Sequence, residues 1–201
     1  MHSTKTDRRV ARTEEVLLNA LVSLLMERGY ERLTIQNLLD RAGVGRATFY
    51  AHFQNKEDLL SRSIGRLHST LVDRWKDSAG IQGKPAERLS FTLPFFQHLE
   101  SHRRIYHTTI GHENEPTVER RIEHMLTELV REDLGRHYRG KANAAVFDLA
   151  VGYVVRSLWA TVVWWVGSKM PMPPEEINQI FQRITFPGID AIFAIPAVQA
   201  D

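Results

Sequence analysis

Residues 33–56 read LTIQNLLDRAGVGRATFYAHFQNK, and this stretch decides the fold. Apolar residues in its first half recur at i, i+3, i+4 and i+7, so they form one face of a short helix. Thr34 is a good N-cap for that helix, because its side-chain oxygen can accept a hydrogen bond from the first turn. Gly43 stands where a left-handed residue ends a helix without Cβ strain. The pattern therefore predicts a helix that begins after Thr34 and ends at Gly43.

A second, shorter helix is predicted from about residue 46 to residue 52. Phe49 and Phe53 are four residues apart, so both rings point to the same side, toward a core. Such a short helix is stable only when it is docked on neighbouring elements. The two helices form the outline of a helix-turn-helix over about residues 33–52, a motif whose second helix enters the DNA major groove.

An ordinary helical hairpin packed in a globular core is the alternative interpretation. The free face of the second helix favours nucleic acid instead, because its side chains can donate hydrogen bonds to phosphates or base edges and none of them is acidic. These residues are Arg46, Thr48, Tyr50, His52 and nearby Lys56.

Residues 29–60, GYERLTIQNLLDRAGVGRATFYAHFQNKEDLL, resemble the N-terminal signature of the tetracycline-repressor (TetR) family of bacterial regulators. The order and spacing of the glycine turn, of the Thr-Phe-Tyr run and of the His-Phe pair all match. The resemblance implies that four residues hold DNA phosphates, namely Thr34, Thr48, Tyr50 and Lys56. It also places four residues against the groove, namely Gly45, Arg46, Ala47 and His52.

Arg46 is the best candidate for reading a guanine, because its planar guanidinium matches the two acceptors of that base. Gly45 departs from the family pattern, since relatives often carry Ser or Thr at this position. A hydroxyl there caps the recognition helix and can touch phosphate. In this chain only backbone N–H groups can do so, and we expect Gly45 to be a weaker contact than the others.

The resemblance implies a helix-turn-helix DNA-binding domain over residues 9–55 and a C-terminal helical ligand-binding and dimerisation domain over residues 56–201. No run alternates for long enough to make a strand, so the predicted fold class is all-α. Besides the helix-turn-helix, the apolar periodicity and the breaks between periodic segments predict helices at about 13–28, 56–75, 85–102, 103–111, 117–135, 142–168 and 174–194.

Composition fits a small protein with a real core, since the 201 residues are 43% hydrophobic. The net charge is only +2, but the first twelve residues hold a basic arm of Lys5, Arg8, Arg9 and Arg12, which we expect to be a disordered, solvated tail before it meets DNA. The absence of cysteine excludes disulfides and thiolate zinc sites. The N-terminus lacks the apolar region of a signal peptide, so the sequence predicts a cytoplasmic protein.

Residues 143–166, NAAVFDLAVGYVVRSLWATVVWWV, approach the length and apolarity of a membrane span. Asp148 and Arg156 argue against a span, at about 2.5–3.5 kcal/mol each near its centre. The sequence therefore favours a long helix buried in protein, with no membrane partner. Arg156 needs a partner in such a helix, and the choices are Asp148, another acid or an anionic ligand.

Two sets of residues in the C-terminal part follow from the family resemblance. In that family the last two long helices of each subunit form a four-helix dimer interface, for which we name Trp164, Trp165, Ile177, Ile180, Phe181 and Ile184. The alternative is that these residues only fill the core of a monomer. The helices expected to surround an effector pocket contribute Phe95, Phe96, Leu99, Tyr106, Phe147, Tyr153, Arg156 and Trp159. The alternative is that most of them, Arg156 excepted, are ordinary core residues.

Other kinds of function have weaker support in the sequence. His98 and His102 have a spacing that can hold a metal, but no cysteine or carboxylate completes a set, so no metal and no cofactor is expected. The chain has no Gly-rich phosphate loop and no nucleophile elbow, and we do not expect an enzyme. Two alternatives stay open: a helical small-molecule-binding or interaction protein without DNA binding, and a metal-responsive sensor.

The function implied by the resemblance is that of a DNA-binding transcriptional regulator. A homodimer would bind a palindromic double-stranded operator and repress transcription. A small-molecule effector would bind the C-terminal domain and move the two recognition helices out of register with successive major grooves. The helix predicted from Lys56 to Trp75 is the natural lever for this movement.

Overall fold

The computed structural model describes residues 3–79, 88–103, 106, 116–138 and 143–194. These residues form α-helices joined by turns, and no strand occurs among them, which confirms the all-α prediction. The helices are α1 (Ser3–Arg28), α2 (Ile35–Ala42), α3 (Arg46–His52), α4 (Lys56–Ala79), α5 (Thr92–Ser101), α6 (Pro116–Tyr138), α7 (Ala144–Gly167) and α8 (Pro174–Ala194).

The first helix begins ten residues before its predicted start. The sequence predicted a helix from residue 13, whereas α1 starts at Ser3. No glycine or proline interrupts residues 3–28, and the Thr13 hydroxyl donates to the Arg9 carbonyl at 3.0 Å, so the basic arm continues the same helix. The side chains of Arg8, Arg9 and Arg12 are exposed along it.

The fifth helix is shorter than predicted. Residues 88–91 form a turn, and α5 begins only at Thr92. Leu89 has a positive φ of 50°, which a helix cannot contain, and this explains why α5 does not extend back through Leu89 as predicted. The predicted helix 103–111 lies outside the described residues apart from positions 103 and 106.

Two compact units divide the chain. The first unit contains α1 to α3, α4 as far as Leu67 and the start of α6 as far as Arg121. In it, α1 packs against α2 and α3. Its core is formed by fully buried apolar side chains, among them Leu17, Leu21, Leu38, Phe49 and Leu59.

The second unit contains the rest of α4, α5, most of α6, α7 and α8. In it, α8 packs against both α5 and α7. Phe96 on α5 meets Trp165 on α7 edge to face, with ring centroids 5.5 Å apart. The Trp165 indole N–H donates to the Met172 carbonyl at 2.9 Å, so the one polar atom of this ring has a partner in the core.

Helix α7 combines one buried apolar face with one exposed apolar face. Among the described residues it alone is long and apolar enough to cross a membrane, by length and composition. One face is buried in the unit, where Val154, Leu158 and Val162 are fully covered. The opposite face exposes Leu149, Tyr153 and Trp164. The prediction of a helix buried in protein is thus met by one side of α7 only.

A buried polar group fixes the turn before α5. Asp133 on α6 is fully buried, and its Oδ2 accepts a hydrogen bond from the Leu89 N–H at 3.0 Å. Its second oxygen, Oδ1, has no hydrogen-bond partner. Burial raises the pKa of the Asp133 carboxyl. The pKa is lowered, but only in part, by the hydrogen bond from the Leu89 N–H and by the nearby charges of His137, Arg136 and Arg88.

Candidate nucleic-acid interface

The start of α2 carries a reciprocal cap. The Asn37 N–H donates to the Thr34 hydroxyl oxygen at 3.2 Å, and the Thr34 N–H donates to Asn37 Oδ1 at 3.2 Å. Leu33 and Leu38, which flank this cap at the positions of a hydrophobic staple, are both buried. The cap uses a lone pair of the Thr34 oxygen and leaves its hydrogen able to donate to a phosphate.

The turn between α2 and α3 depends on Gly43. This residue has φ 65° and ψ 32°, in the left-handed region that favours glycine. The N–H groups of Gly43 and Val44 both donate to the Leu39 carbonyl, which closes α2. Gly45 then caps α3 with φ −74° and no side-chain hydrogen bond, as its missing hydroxyl predicts.

Two phenylalanines hold α3 on the first unit. Phe49 is 0% exposed and Phe53 2% exposed, and their ring centroids are 5.9 Å apart. The rings of Tyr50 and Phe49 pack edge to face, with their centroids 5.4 Å apart. Half of the Tyr50 surface remains exposed. The other predicted contact residues of the turn and helix form an open face: Gly45, Arg46, Ala47 and Thr48 are exposed, and His52 is half-buried.

Lys56, the first residue of α4, is held in place by Tyr30. The Lys56 ammonium donates to the Tyr30 carbonyl at 3.2 Å and lies 4.4 Å from the centroid of its ring. The side chain is half-buried, and these contacts use only part of its hydrogen-bonding capacity. The ammonium can therefore still meet a phosphate, from a fixed position.

Arg46 has a partner on α2 that sequence reasoning missed. Its Nη2 donates to Gln36 Oε1 at 3.3 Å, and Gln36 Nε2 donates to Asp40 Oδ1 at 2.8 Å. All three residues are exposed. The spacing of Gln36 and Asp40 on α2 is a helical i, i+4 pair, which is visible in the sequence, but their relation to Arg46 requires the angle between the two helices.

Arg41, on the same short helix α2, is committed to the protein. It forms two hydrogen bonds with the Glu27 carboxylate, at 2.7 and 2.6 Å, and a further one with Ser23. The hydrogen bond from Arg41 lowers the pKa of the Glu27 carboxyl. This pair ties α2 to α1, so Arg41 contributes to the docking of the motif on α1.

The predicted pocket residues fall into three groups. Phe95, Phe96 and Leu99 are buried in the second unit, and Phe147 and Trp159 are half-buried there. Tyr153 is half exposed on the outer face of α7. Tyr106 belongs to the first unit, and burial raises the pKa of its hydroxyl.

Arg156 also lies on the outside of α7. Its side chain is 78% exposed and pairs with Glu123 on α6 at 3.8 Å. Asp148, the acid considered first, pairs instead with Arg131 at 2.6 Å. Of the three partners open to Arg156 in the sequence, the structure selects another acid.

The six residues predicted for the dimer interface divide equally. Trp165, Ile177 and Phe181 are at most 2% exposed, because they fill the core of their own unit and leave almost no surface for a partner. The other three residues, Trp164, Ile180 and Ile184, are exposed. The exposed apolar surface also includes residues that the sequence did not single out for this role: Leu149, Tyr153 and Ile192.

The histidine pair on α5 forms a contact between two rings. The His98 and His102 ring centroids are 4.3 Å apart. Burial, together with the charges of His102 and Arg74, lowers the pKa of His98 to about 4, so its ring is neutral at pH 7. Over the part of the chain that the structure describes, no three His, Cys, Asp or Glu residues are grouped so that they could hold a metal ion.

Comparison with known proteins agrees with this geometry. The family described as "Bacterial regulatory proteins, tetR family" matches residues 17–62, which contain the capped α2, the glycine turn and α3. A second family, "Transcriptional regulator C-terminal region", matches residues 87–186.

Individual relatives give the same result. A stretch of 68 residues, 33% of this chain and 18% of the relative, is 41% identical to YxbF, an uncharacterised HTH-type transcriptional regulator of Bacillus subtilis. A stretch of 87 residues, 43% of this chain and 44% of the relative, is 28% identical to the HTH-type transcriptional repressor KstR2 of Mycobacterium tuberculosis. The chain thus spans less than half the length of these two curated relatives.

A solved structure extends the likeness to most of the chain. The crystal structure of a TetR transcriptional regulator from Streptococcus agalactiae superposes on this chain with a TM-score of 0.67 and 24% sequence identity. The match covers 92% of this chain and 99% of the Streptococcus chain. A likeness at this level of identity shows the fold. The two family matches together cover most of the sequence, and the matched segments coincide with the helix-turn-helix and the C-terminal helices. The chain belongs to the TetR family of bacterial regulatory proteins.

Proposed function

We propose that this protein is a DNA-binding transcriptional repressor that a small molecule releases from a palindromic operator. One observation carries the proposal. Helix α3 is held by the buried rings of Phe49 and Phe53, while its opposite face is open and carries hydrogen-bond donors and no acid. A short helix that is fixed on one side and donor-rich on the other suits the major groove.

The phosphate-holding residues surround this face in our proposal. Thr34 and Thr48 offer hydroxyls, and Tyr50 offers a half-exposed phenol. Lys56 offers an ammonium whose position is fixed by Tyr30. Contacts of this kind set the position and orientation of the recognition helix on the duplex, and Arg46 then reads a base.

We infer that the regulator is a homodimer joined through the exposed face of α7 and α8. Leu149 and Ile184 are each 69% exposed and Trp164 is 52% exposed, which is unusual for large apolar side chains in a monomer. Small exposed residues, Gly152 and Gly188, lie along the same two helices and allow a close approach. A two-fold dimer places two recognition helices about 34–36 Å apart and selects a palindromic site.

The DNA-binding domain would span residues 9–55. The effector would bind the helical domain over residues 56–201. Phe95, Phe96 and Leu99 supply apolar surface there, as small organic ligands require. The repressor KstR2, whose name states its activity, supports repression here by analogy. A ligand that moves the equilibrium from 1:99 to 99:1 must prefer the released conformation by about 5.5 kcal/mol. The protein would work in the cytoplasm, without catalysis.

Selection of bound duplexes from random DNA tests the proposal. A palindromic consensus with half-sites one helical turn apart is the expected result. Arg46→Ala should then relax the preference at one base pair of each half-site, at a cost of about 1–3 kcal/mol. Lys56→Ala is the matched variant, and it should weaken binding to all sequences alike. Failure to enrich any sequence, or an unchanged consensus with Arg46→Ala, would contradict the assignment.

A further inference from the structure

We propose that Gln36 is a positioning residue for base recognition, which holds the Arg46 guanidinium in the orientation that reads a base pair. The inference rests on the proposed operator binding and goes beyond it, because Gln36 lies on α2 and not on the recognition helix. The juxtaposition that carries it is the hydrogen-bonded chain from Asp40 through Gln36 to Arg46.

The amide of Gln36 has only one orientation that serves both neighbours. A carboxylate only accepts hydrogen bonds and a guanidinium only donates them. Gln36 Nε2 therefore donates to Asp40 Oδ1 at 2.8 Å, and Gln36 Oε1 accepts from Arg46 Nη2 at 3.3 Å. Asp40 is one turn further along α2, so the direction of the amide is set within a single helix.

The bond to Gln36 leaves Arg46 equipped for recognition. A guanidinium has five N–H donors, and one bond from Nη2 leaves the others for the two acceptors of a guanine. Across the described part of the chain, Gln36 is the one side chain that hydrogen-bonds Arg46. Holding the long arginine side chain reduces the number of rotamers it must give up on binding, and this favours the geometry in which the base is read.

A neutral partner suits this position better than an acid. A carboxylate at residue 36 would hold Arg46 more firmly, but it would also neutralise its charge and repel the DNA backbone. The amide orients the guanidinium and leaves its charge available. The hydrogen-bonded link between Asp40 and Arg46 runs through the amide of Gln36.

The test measures base preference at one position with the full-length protein. Four duplexes carry the selected operator and differ at a single base pair. That base pair is the one at which the Arg46→Ala variant loses its preference. Gln36→Ala should reduce the ratio of best to worst affinity at that pair by at least about fivefold, the lower end of what one bidentate contact provides. Gln36→Glu keeps the acceptor, so it should retain the ratio while weakening binding to all four duplexes.

Other outcomes overturn the inference in distinguishable ways. Equal weakening on all four duplexes with Gln36→Ala would show that Gln36 only supports the fold or contacts the backbone. A changed preference at a different base pair would show that Gln36 itself reads a base. Gln54→Ala, a second exposed glutamine of the same unit, is the control and should leave the ratio unchanged. If the wild-type protein shows no sequence preference at all, the proposed function fails instead.

Discussion

Replacing Gly43 by alanine tests whether the turn of the helix-turn-helix has the backbone that the structure gives it. Gly43 has φ 65°, and an added Cβ would meet no heavy atom within 4 Å. The substitution therefore creates no clash, and its cost comes from the left-handed backbone alone, about 1–2 kcal/mol. Alanine also restricts the unfolded chain, which returns about 0.4–1 kcal/mol. We expect a net loss of about 1 kcal/mol.

Gly45→Ala is a closely matched control two residues away. Gly45 has φ −74°, which any residue adopts, and its added Cβ also meets nothing within 4 Å. Alanine is a clearly poorer N-cap than glycine, but it also restricts the unfolded chain, so the two effects largely offset each other. We expect a change in unfolding free energy within about 0.5 kcal/mol.

Thermal and urea unfolding followed by far-UV circular dichroism compares the two variants. All four tryptophans lie in the second unit, at positions 75, 159, 164 and 165, so their fluorescence reports on that unit and serves as an internal reference. A loss of 1 kcal/mol lowers the melting temperature of a 60–100-residue unit by about 4–8 °C. If Gly43→Ala were no more destabilising than Gly45→Ala, the left-handed turn would be refuted.

Three further predictions concern the dimer face, the buried acid and the cap of α3. Ile184→Glu should convert the proposed dimer to a helical monomer in light scattering, because it places a charge in an apolar interface. Gln179→Glu on the same helix should leave the proposed dimer intact. The folded-state pKa of Asp133 is raised above its ordinary value of 3.8, so the contribution of this carboxyl to stability falls as pH rises from about 3.8 through the folded-state pKa. Asp133→Asn, which keeps an acceptor for the Leu89 N–H, should therefore become more stable relative to wild type between that pH and neutrality, and a constant difference in urea unfolding would contradict this. Gly45→Ser should stabilise by a few tenths of a kcal/mol, because it adds the missing cap and open space surrounds the site, and a lower melting temperature would count against that geometry.

The helix-turn-helix could be predicted because its signals are local. The cap at Thr34, the left-handed Gly43 and the four-residue spacing of Phe49 and Phe53 each act within a few residues along the chain. Local chemistry of this kind fixes helix ends and the buried face without knowledge of the rest of the fold. The bounds of α2 and α3 accordingly follow from the sequence.

The exposed apolar face of α7 and α8 could be predicted only in part, because each helix carries exposed apolar residues as well as a buried apolar face. Trp164 and Trp165 are adjacent and equally hydrophobic, yet one is 52% exposed and the other 0% exposed. Periodicity identifies a helix with an apolar face, but it cannot say whether the cover is the same chain or a second copy. That distinction depends on how α8 packs against α7, which is a long-range property.

Polar pairs that cross between helices were missed for the same reason. The Gln36–Arg46 hydrogen bond depends on the angle between α2 and α3. The Arg156–Glu123 pair depends on α6 lying near the exposed side of α7, so an arginine in an apolar stretch is exposed in the fold. The sequence shows which residues are charged, but the packing of the helices determines which of them form pairs.

The salt dependence of binding to the selected operator tests the central claim most directly. In the proposed mechanism, a dimer neutralises several phosphates through residues such as Lys56 and reads bases through Arg46. A plot of log K against log salt concentration should then be a steep straight line, with a slope of about −0.9 for each phosphate neutralised. The operator should also bind at least about a thousandfold tighter than a scrambled duplex. A flat line, or equal affinity for both duplexes, would contradict the account.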